Sequence, residues 1–390
     1  MSTSSPLASW CPVAPDWRVP WATIEAHLEG LSALYACPQD PEYHAEGDVG
    51  THTKLACDAL AGCEEFRRLP ESARRVVFAG VLLHDWGKVA CTRTDTNGRL
   101  TSRGHSARGE ILTRQLLWQL GVPFLEREQV AALVRYHQVP FFLVDRSDAE
   151  RLAITVSQTV RCDWLAQVAW ADGAGRRCAE PRAQARILDN VALFRELCAE
   201  WQLLTRPWPF QSAHSRFLYF RREGRDPRYH AHDDTRCEVI LLSGLPAAGK
   251  DHWVEAHAGD RPVISLDQLR AAMRVEPDAP QNAVVAAARE RARDFLRQGQ
   301  SFVWNATNLS RSLRGELVSL FADYNARVRI VYLEVPPSQL TARNRARIGR
   351  VPQAVIDRLL DRWTVPDLTE AHWVECPQIE SETELETAGR

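Results

Sequence analysis

At Cys237 the hydrophobic period of this chain changes, and that switch limits the folds open to it. Upstream, apolar residues recur at spacings of three and four over 22–35, 52–67, 72–84, 107–119, 127–136, 149–172 and 186–203. That spacing marks helices that bury one face. Downstream, apolar runs at 238–243, 262–266, 301–305 and 328–333 are each followed by a helical segment. Strand–loop–helix repetition dictates a parallel sheet with helices on both faces. The expected fold class is therefore α plus α/β, multidomain: an all-α helical bundle over 1–205 and a sheet flanked by helices over 237–390. Between them, 206–236 carries Pro207, Pro209 and Pro227 among aromatics and arginines. It reads as an ordered connection with a short strand at Arg216–Phe220. The last dozen residues are acidic and polar and read as frayed.

Charge excludes some roles. The formal net charge of -2 gives no global nucleic-acid signature, so such a partner would need local basic patches. Two arginine-rich segments, 216–228 and 343–362, are candidates. No run approaches the roughly 18 apolar residues of a membrane span, and MSTSSPLASW lacks the basic start of a secretion signal. The ten cysteines show no Cys-x-x-Cys pair, as expected of reduced core thiols and a cytoplasmic location. Oligomeric state is not encoded.

Of 48 basic residues, three are lysines: Lys54, Lys88 and Lys250. Lys88 and Lys250 sit in phosphate-handling motifs, where a compact ammonium acts as a point charge that a planar guanidinium does not replace. Lys54, on a different helical face from His52, reads as solvated surface.

The strand Glu238–Ser243 runs into Gly244-Leu245-Pro246-Ala247-Ala248-Gly249-Lys250 and then a helix. This is the context a phosphate loop requires. Its backbone N–H groups wrap phosphate oxygens, and Lys250 reaches the terminal phosphates of ATP or another triphosphate. Asp251 departs from the motif, since Ser or Thr there usually offers a hydroxyl to Mg2+. Asp251 can bind the ion directly or through water, yet its charge opposes phosphate. Downstream, Asp267 follows the second strand and can take a proton from an attacking hydroxyl. Arg270, one turn on, can hold an acceptor phosphate. Arg343 and Arg347, four apart on one helical face, can clamp the transferring phosphoryl group as a lid. Asn305, Thr307 and Asn308 end the third strand, either orienting substrate or making a turn.

The helical half holds His52, His84-Asp85, His105, His137 and Asp172, each in or at the end of a separate helix. Imidazoles and carboxylates together suit a divalent transition metal such as Mn, Ni, Co, Cu, Fe or Zn better than magnesium. His44 precedes the first of these and either borders the pocket or is structural.

This ordered set resembles the HD superfamily of metal-dependent phosphohydrolases over about residues 40–176. The resemblance implies that His52, His84, Asp85 and Asp172 hold one metal, with His105 and His137 matching the extra ligands of members with a second. It also implies phosphate-binding cations, for which Lys88 is well placed; Arg176 either shares that task or is a surface arginine. The HHExxDGxGYP element of cyclic-dinucleotide hydrolases is missing, as is the upstream nucleotidyltransferase motif of tRNA-tail-adding enzymes. The second half is similar to the bacteriophage polynucleotide 5′-kinase type, which implies Asp267 as general base, Arg270 on the acceptor's phosphate, and Arg343 and Arg347 on the lid.

In this order, the two halves resemble the bacterial HD–polynucleotide kinase family of end-healing enzymes. That implies removal of 3′-phosphate or 2′,3′-cyclic phosphate and ATP-dependent phosphorylation of 5′-hydroxyl ends of DNA or RNA, in partnership with a ligase. Two other readings stay open: a mononucleotide phosphohydrolase fused to a small-molecule kinase, and an ATP-sensing regulator of the hydrolase.

Overall fold

The computed structural model describes residues 5–276, 279–347 and 349–377. The expected frayed terminus lies almost wholly outside them. The chain forms two compact units, Met1–Trp208 and Pro209–Arg390.

The first unit is helical, apart from a two-strand hairpin of β1 (Arg93–Thr94) and β2 (Leu100–Thr101). At its centre runs Glu71–Leu83, in which every residue from Val76 to Leu83 is buried. A helix apolar all round belongs in a core. Helices Val49–Gly62, Phe124–Tyr136 and Cys162–Gly175 surround it. Ala56, Leu60, Val77, Leu133, Leu165 and Ala169 are each fully buried, a contribution of about 1.5–3 kcal/mol per large side chain. Asp48 caps Val49–Gly62 by accepting from Thr51 N at 2.7 Å, which is worth about 1 kcal/mol. That cap also fixes the turn carrying His52.

The second unit holds a five-stranded sheet: β3 (Cys237–Ser243), β4 (Val263–Ser265), β5 (Phe302–Asn305), β6 (Ala326–Tyr332) and β7 (Trp373–Glu375). The order is β4-β5-β3-β6-β7, and every pairing is parallel. Alternation along β3 explains why both faces are covered. Val239 and Leu241 face a core with Ala288, Ala292, Leu317 and Phe321. Ile240 and Leu242 face the opposite side, against Trp253 of helix Lys250–His257 and Ala258 just beyond its end.

Five sequence expectations need correction. Arg216–Phe220 is not a strand but part of helix Ala213–Arg221, which Ser212 caps through Ser215 N at 3.0 Å. Its Phe217 joins the sheet's core, so the connection packs as part of the second unit. The 149–172 segment is two helices, Ala149–Ser157 and Cys162–Gly175; 22–35 is likewise two, Trp21–His27 and Leu31–Tyr35, and 52–67 breaks at Cys63 into Val49–Gly62 and Glu64–Arg67. Lys54 is half-buried, its Nζ 5.2 Å from the centre of the Trp21 ring. Strand β7 went unread because three half-buried or exposed residues carry no clear alternation. All ten cysteines are free thiols, and among the described residues no helix is long and apolar enough to cross a membrane.

Candidate functional site: a histidine–aspartate centre and a phosphate loop

Five helices bring six predicted ligands together. His52 lies in Val49–Gly62, His84 and His137 end Glu71–Leu83 and Phe124–Tyr136, His105 starts His105–Gln119, and Asp172 lies in Cys162–Gly175. Gly87 allows the His84-Asp85 turn to meet the His105 helix, since a Cβ there would lie 2.1 Å from His105 O.

The side chains form two triads. His52 Nε2 is 3.1 Å from Asp172 Oδ1, and His84 Nε2 is 3.3 Å from His52 Nε2. Across the centre, His105 Nε2 and His137 Nε2 are 3.4 Å apart, at 3.3 and 3.8 Å from Asp85 Oδ1. The other Asp85 oxygen is 3.2 Å from His84 Nε2, so Asp85 stands between the triads.

Tautomers follow from the outer nitrogens. His84, His105 and His137 donate Nδ1–H to the carbonyls of Val81, Ser102 and Val134 at 2.7–2.8 Å. Each neutral ring then directs an Nε2 lone pair inward. Burial pushes His137 down to about 3, which keeps that ring neutral. Burial alone would raise Asp85 and Asp172. The Lys88 ammonium beside Asp85 and the Arg176 guanidinium beside Asp172 outweigh it and hold both carboxyls well below their ordinary value. Lone pairs and carboxylates converging at 3–4 Å repel one another unless a cation sits among them. The donor set fits divalent transition metal ions.

Two cations border this centre. Lys88 Nζ is 2.7 Å from Asp85 Oδ2 and donates to Gln39 Oε1 at 2.5 Å. Arg176 is buried rather than on the surface, and donates to both Asp172 oxygens at 2.9 and 3.1 Å. With His44, His105 and Gln138 they line a cavity of about 390 Å3. His44 therefore borders the pocket, and burial lowers it to about 4. Sequence reasoning passed over Glu46, whose Oε1 is 2.8 Å from His44 Nδ1 and 2.9 Å from His52 Nδ1. Its place two residues from His44 was the available signal.

In the second unit, β3 delivers the loop Gly244–Gly249 to helix Lys250–His257. Gly249 has φ +104°, a left-handed conformation that glycine adopts without Cβ strain. Lys250 Nζ donates to Gly244 O at 2.9 Å and Leu245 O at 2.8 Å. Burial lowers this lysine to about 8.

The strand-end residues divide their work. Asn305 Nδ2 donates to Asp251 Oδ1 at 2.7 Å, fixing the carboxylate that follows Lys250. Asn308 is buried and structural, donating to Leu242 O at 2.7 Å. Thr307 O accepts from Gly244 N at 2.9 Å and so braces the loop.

Asp267, at the start of helix Leu266–Ala272, accepts from Arg270 Nη1 at 2.7 Å and Arg347 Nη2 at 3.4 Å. Arg343 reaches the loop, for a Cβ on Gly249 would lie 3.5 Å from its Nη1. The expected single helical face for Arg343 and Arg347 is corrected here. Helix Pro337–Ala346 stops before Arg347, whose ψ of 136° is extended. Asn344 closes the turn beyond, pairing with Val351 through bonds of 2.9 and 3.1 Å.

Comparison with known proteins bears on the second unit as a whole. A family model described as an AAA domain matches residues 239–366. The chain is 36% identical over 110 residues to the multifunctional CCA protein of Halorhodospira halophila, covering 28% of this chain and 24% of that protein. It is 22% identical over 147 residues to the L-seryl-tRNA(Sec) kinase of Methanococcus maripaludis, covering 34% of this chain and 58% of that one. A sugar kinase structure from Janibacter sp. HTCC2649 covers 39% of this chain and 92% of its own, at 17% identity and a TM-score of 0.29. The chain thus spans from about a quarter to somewhat over half the length of these curated relatives. Its second unit is a P-loop, kinase-like domain, a fold that implies binding of ATP and Mg2+.

Proposed function

We propose that the chain heals broken nucleic-acid ends. The kinase-like unit phosphorylates 5′-hydroxyl ends from ATP, and the helical unit removes 3′-phosphate or 2′,3′-cyclic phosphate. The observation that carries this reading is the pairing of Asp267 with both Arg270 and Arg347. An acceptor carboxylate flanked by a phosphate-binding and a lid arginine suits a hydroxyl next to a nucleic-acid phosphate. A regulator that only senses ATP has no use for that arrangement.

In the kinase, loop N–H groups and Lys250 hold the triphosphate. Asp267 accepts the proton of the attacking hydroxyl, Arg270 holds the acceptor strand's first phosphate, and Arg343 and Arg347 neutralise charge on the transferring group. Asp251 and Asn305 together present one carboxylate oxygen toward Mg2+.

In the helical unit, His52, His84, Asp85 and Asp172 would hold one metal, and His105 and His137, sharing Asp85, a second. The metal supplies Lewis acidity and lowers the pKa of a water. Lys88 positions phosphoryl oxygens in the cavity, and Arg176 keeps Asp172 ionised and aimed inward. The similarity to a kinase named for seryl-tRNA supports RNA as one acceptor class, and a ligase would be the consumer of the healed ends.

The test uses one oligonucleotide with 5′-hydroxyl and 3′-phosphate, ATP, and a panel of divalent metals. Change at both ends is expected. Change at neither end, alongside turnover of mononucleotides or small hydroxyl compounds, overturns the reading.

A further inference from the structure

A second cavity, of about 570 Å3, lies in the kinase-like unit at the far end of the sheet from the phosphate loop. It touches Asn325 and Ala326, where β6 begins, whereas the loop follows Ser243, which pairs with Tyr332 where β6 ends. Seven strand residues at about 3.3 Å each separate the two by roughly 20 Å.

Hydrogen bonds fix the chemistry of its inner wall. Val328 N–H donates to His372 Nδ1 at 3.0 Å, so the proton of that neutral ring is on Nε2. His372 Nε2 lies 3.1 Å from His214 Nδ1 and must donate to it. His214 therefore carries its own proton on Nε2. Burial, with help from the Arg327 charge, pushes His372 down to about 3 and keeps this order of protons in place. His214 is 6% exposed, and its Nε2 has no hydrogen-bond partner. Asp234 Oδ1 stands off at 3.8 Å on a largely exposed side chain.

The outer wall is cationic. Arg225 Nε is a second buried donor without a partner, and its guanidinium lies 5.5 Å from the centre of the exposed Tyr229 ring. Arg222 is exposed beside it. Arg221 is already engaged, with Ser319 Oγ at 3.2 Å and Asp323 at 3.7 Å. Unpartnered N–H donors among free guanidiniums make an anion site, and an aromatic face beside it suits a base.

We propose that this cavity seats a backbone phosphate of a nucleic-acid strand, distant from the end being phosphorylated, with Tyr229 offered to an adjoining base. The inference rests on the polynucleotide reading above. Arg222 and Arg225 grip the strand, and His214 donates from the cavity's inner wall.

Binding of a labelled 20-nucleotide single strand, blocked at both ends, is measured against the full chain and its Arg222→Ala/Arg225→Ala variant. Both side chains reach solvent, so the fold should survive. The variant should bind about ten-fold more weakly. Its slope of log affinity against log salt should shrink by about 0.7, the change when one phosphate of a single strand is no longer neutralised. With an unblocked 5′-hydroxyl strand, KM should rise while kcat and KM for ATP stay put. Unchanged affinity and slope overturn the proposal, as does displacement of the strand by equimolar inorganic phosphate, which would assign the cavity to a free anion. Failure of the kinase reading shows separately, as no transfer to any 5′-hydroxyl strand by the unaltered chain while blocked-strand binding persists.

Discussion

Asn305 donates a 2.7 Å hydrogen bond to Asp251, tying the residue after the phosphate-loop lysine to the end of the third strand of the sheet in sequence order. The bond fixes one carboxylate oxygen where other phosphate loops place a hydroxyl. Asn305→Ala should therefore raise the Mg2+ concentration for half-maximal kinase activity about ten-fold, the scale of a hydrogen bond to a charged group. Asp251→Ser should retain activity. Magnesium titrations of both variants check this, and unchanged curves would remove Asp251 from the metal site.

Asp267 accepts from two arginines, and the proposed function makes it the base for the attacking hydroxyl. Asp267→Ala should lower transfer to a 5′-hydroxyl strand by about 10²–10⁴, the usual scale for a general base. ATP affinity should stay within a few fold. A variant that still phosphorylates ends at the normal rate refutes the base assignment.

The two centres lie in separate units, so their losses should be separable. Asp85→Ala should end 3′-phosphate release and leave 5′ phosphorylation working. Lys250→Ala should do the converse. Loss of both activities from either change would point to one coupled site.

Glu46 Oε1 lies 2.9 Å from the outer nitrogen of His52. Carboxylates behind a ligating imidazole typically contribute 10–100-fold to metal affinity. Glu46→Gln should weaken metal binding by that much without unfolding the helical unit, as read by metal titration and circular dichroism. Unaltered affinity would make Glu46 purely structural.

Lys250 has its ammonium lowered to about 8 from an ordinary 10.5. Below about 8 the folded chain carries the charge that phosphate needs; above it, that charge is lost. ATP affinity of the free protein should fall as pH rises through about 8, and ATP binding should take up a proton there. The stability term has the opposite sign. Burying the charged lysine costs stability at low pH, and the cost is relieved between about 8 and 10.5, where the unfolded chain binds more protons. Calorimetry in buffers of different ionisation enthalpy would detect the uptake; a flat profile to pH 9.5 refutes it.

Local pattern determined a good deal of this protein. The change of period at Cys237, the strand–loop–helix around Lys250 and the histidine–aspartate order are all local or ordered signals, because each helix or strand exposes its own periodicity. Four strands and the six converging ligands were legible for that reason. Arg216–Phe220 was misread because its run of aromatic and apolar residues, Phe217-Leu218-Tyr219-Phe220, suits a buried strand as well as a helix capped by Ser212. Strand β7 was too short to show a period.

Tertiary structure alone decided what distant side chains share. Asp85 lies between two triads because five helix ends converge on it. Glu46 reaches His52, Asn305 reaches Asp251, and Arg347 reaches Asp267 across 80 residues. No periodicity encodes such contacts; they follow from helix crossing and sheet order. The lysines show the division. Their types and places are written in the chain, but burial beside Asp85 and within the phosphate loop is what gives Lys88 a partner and Lys250 a lowered pKa.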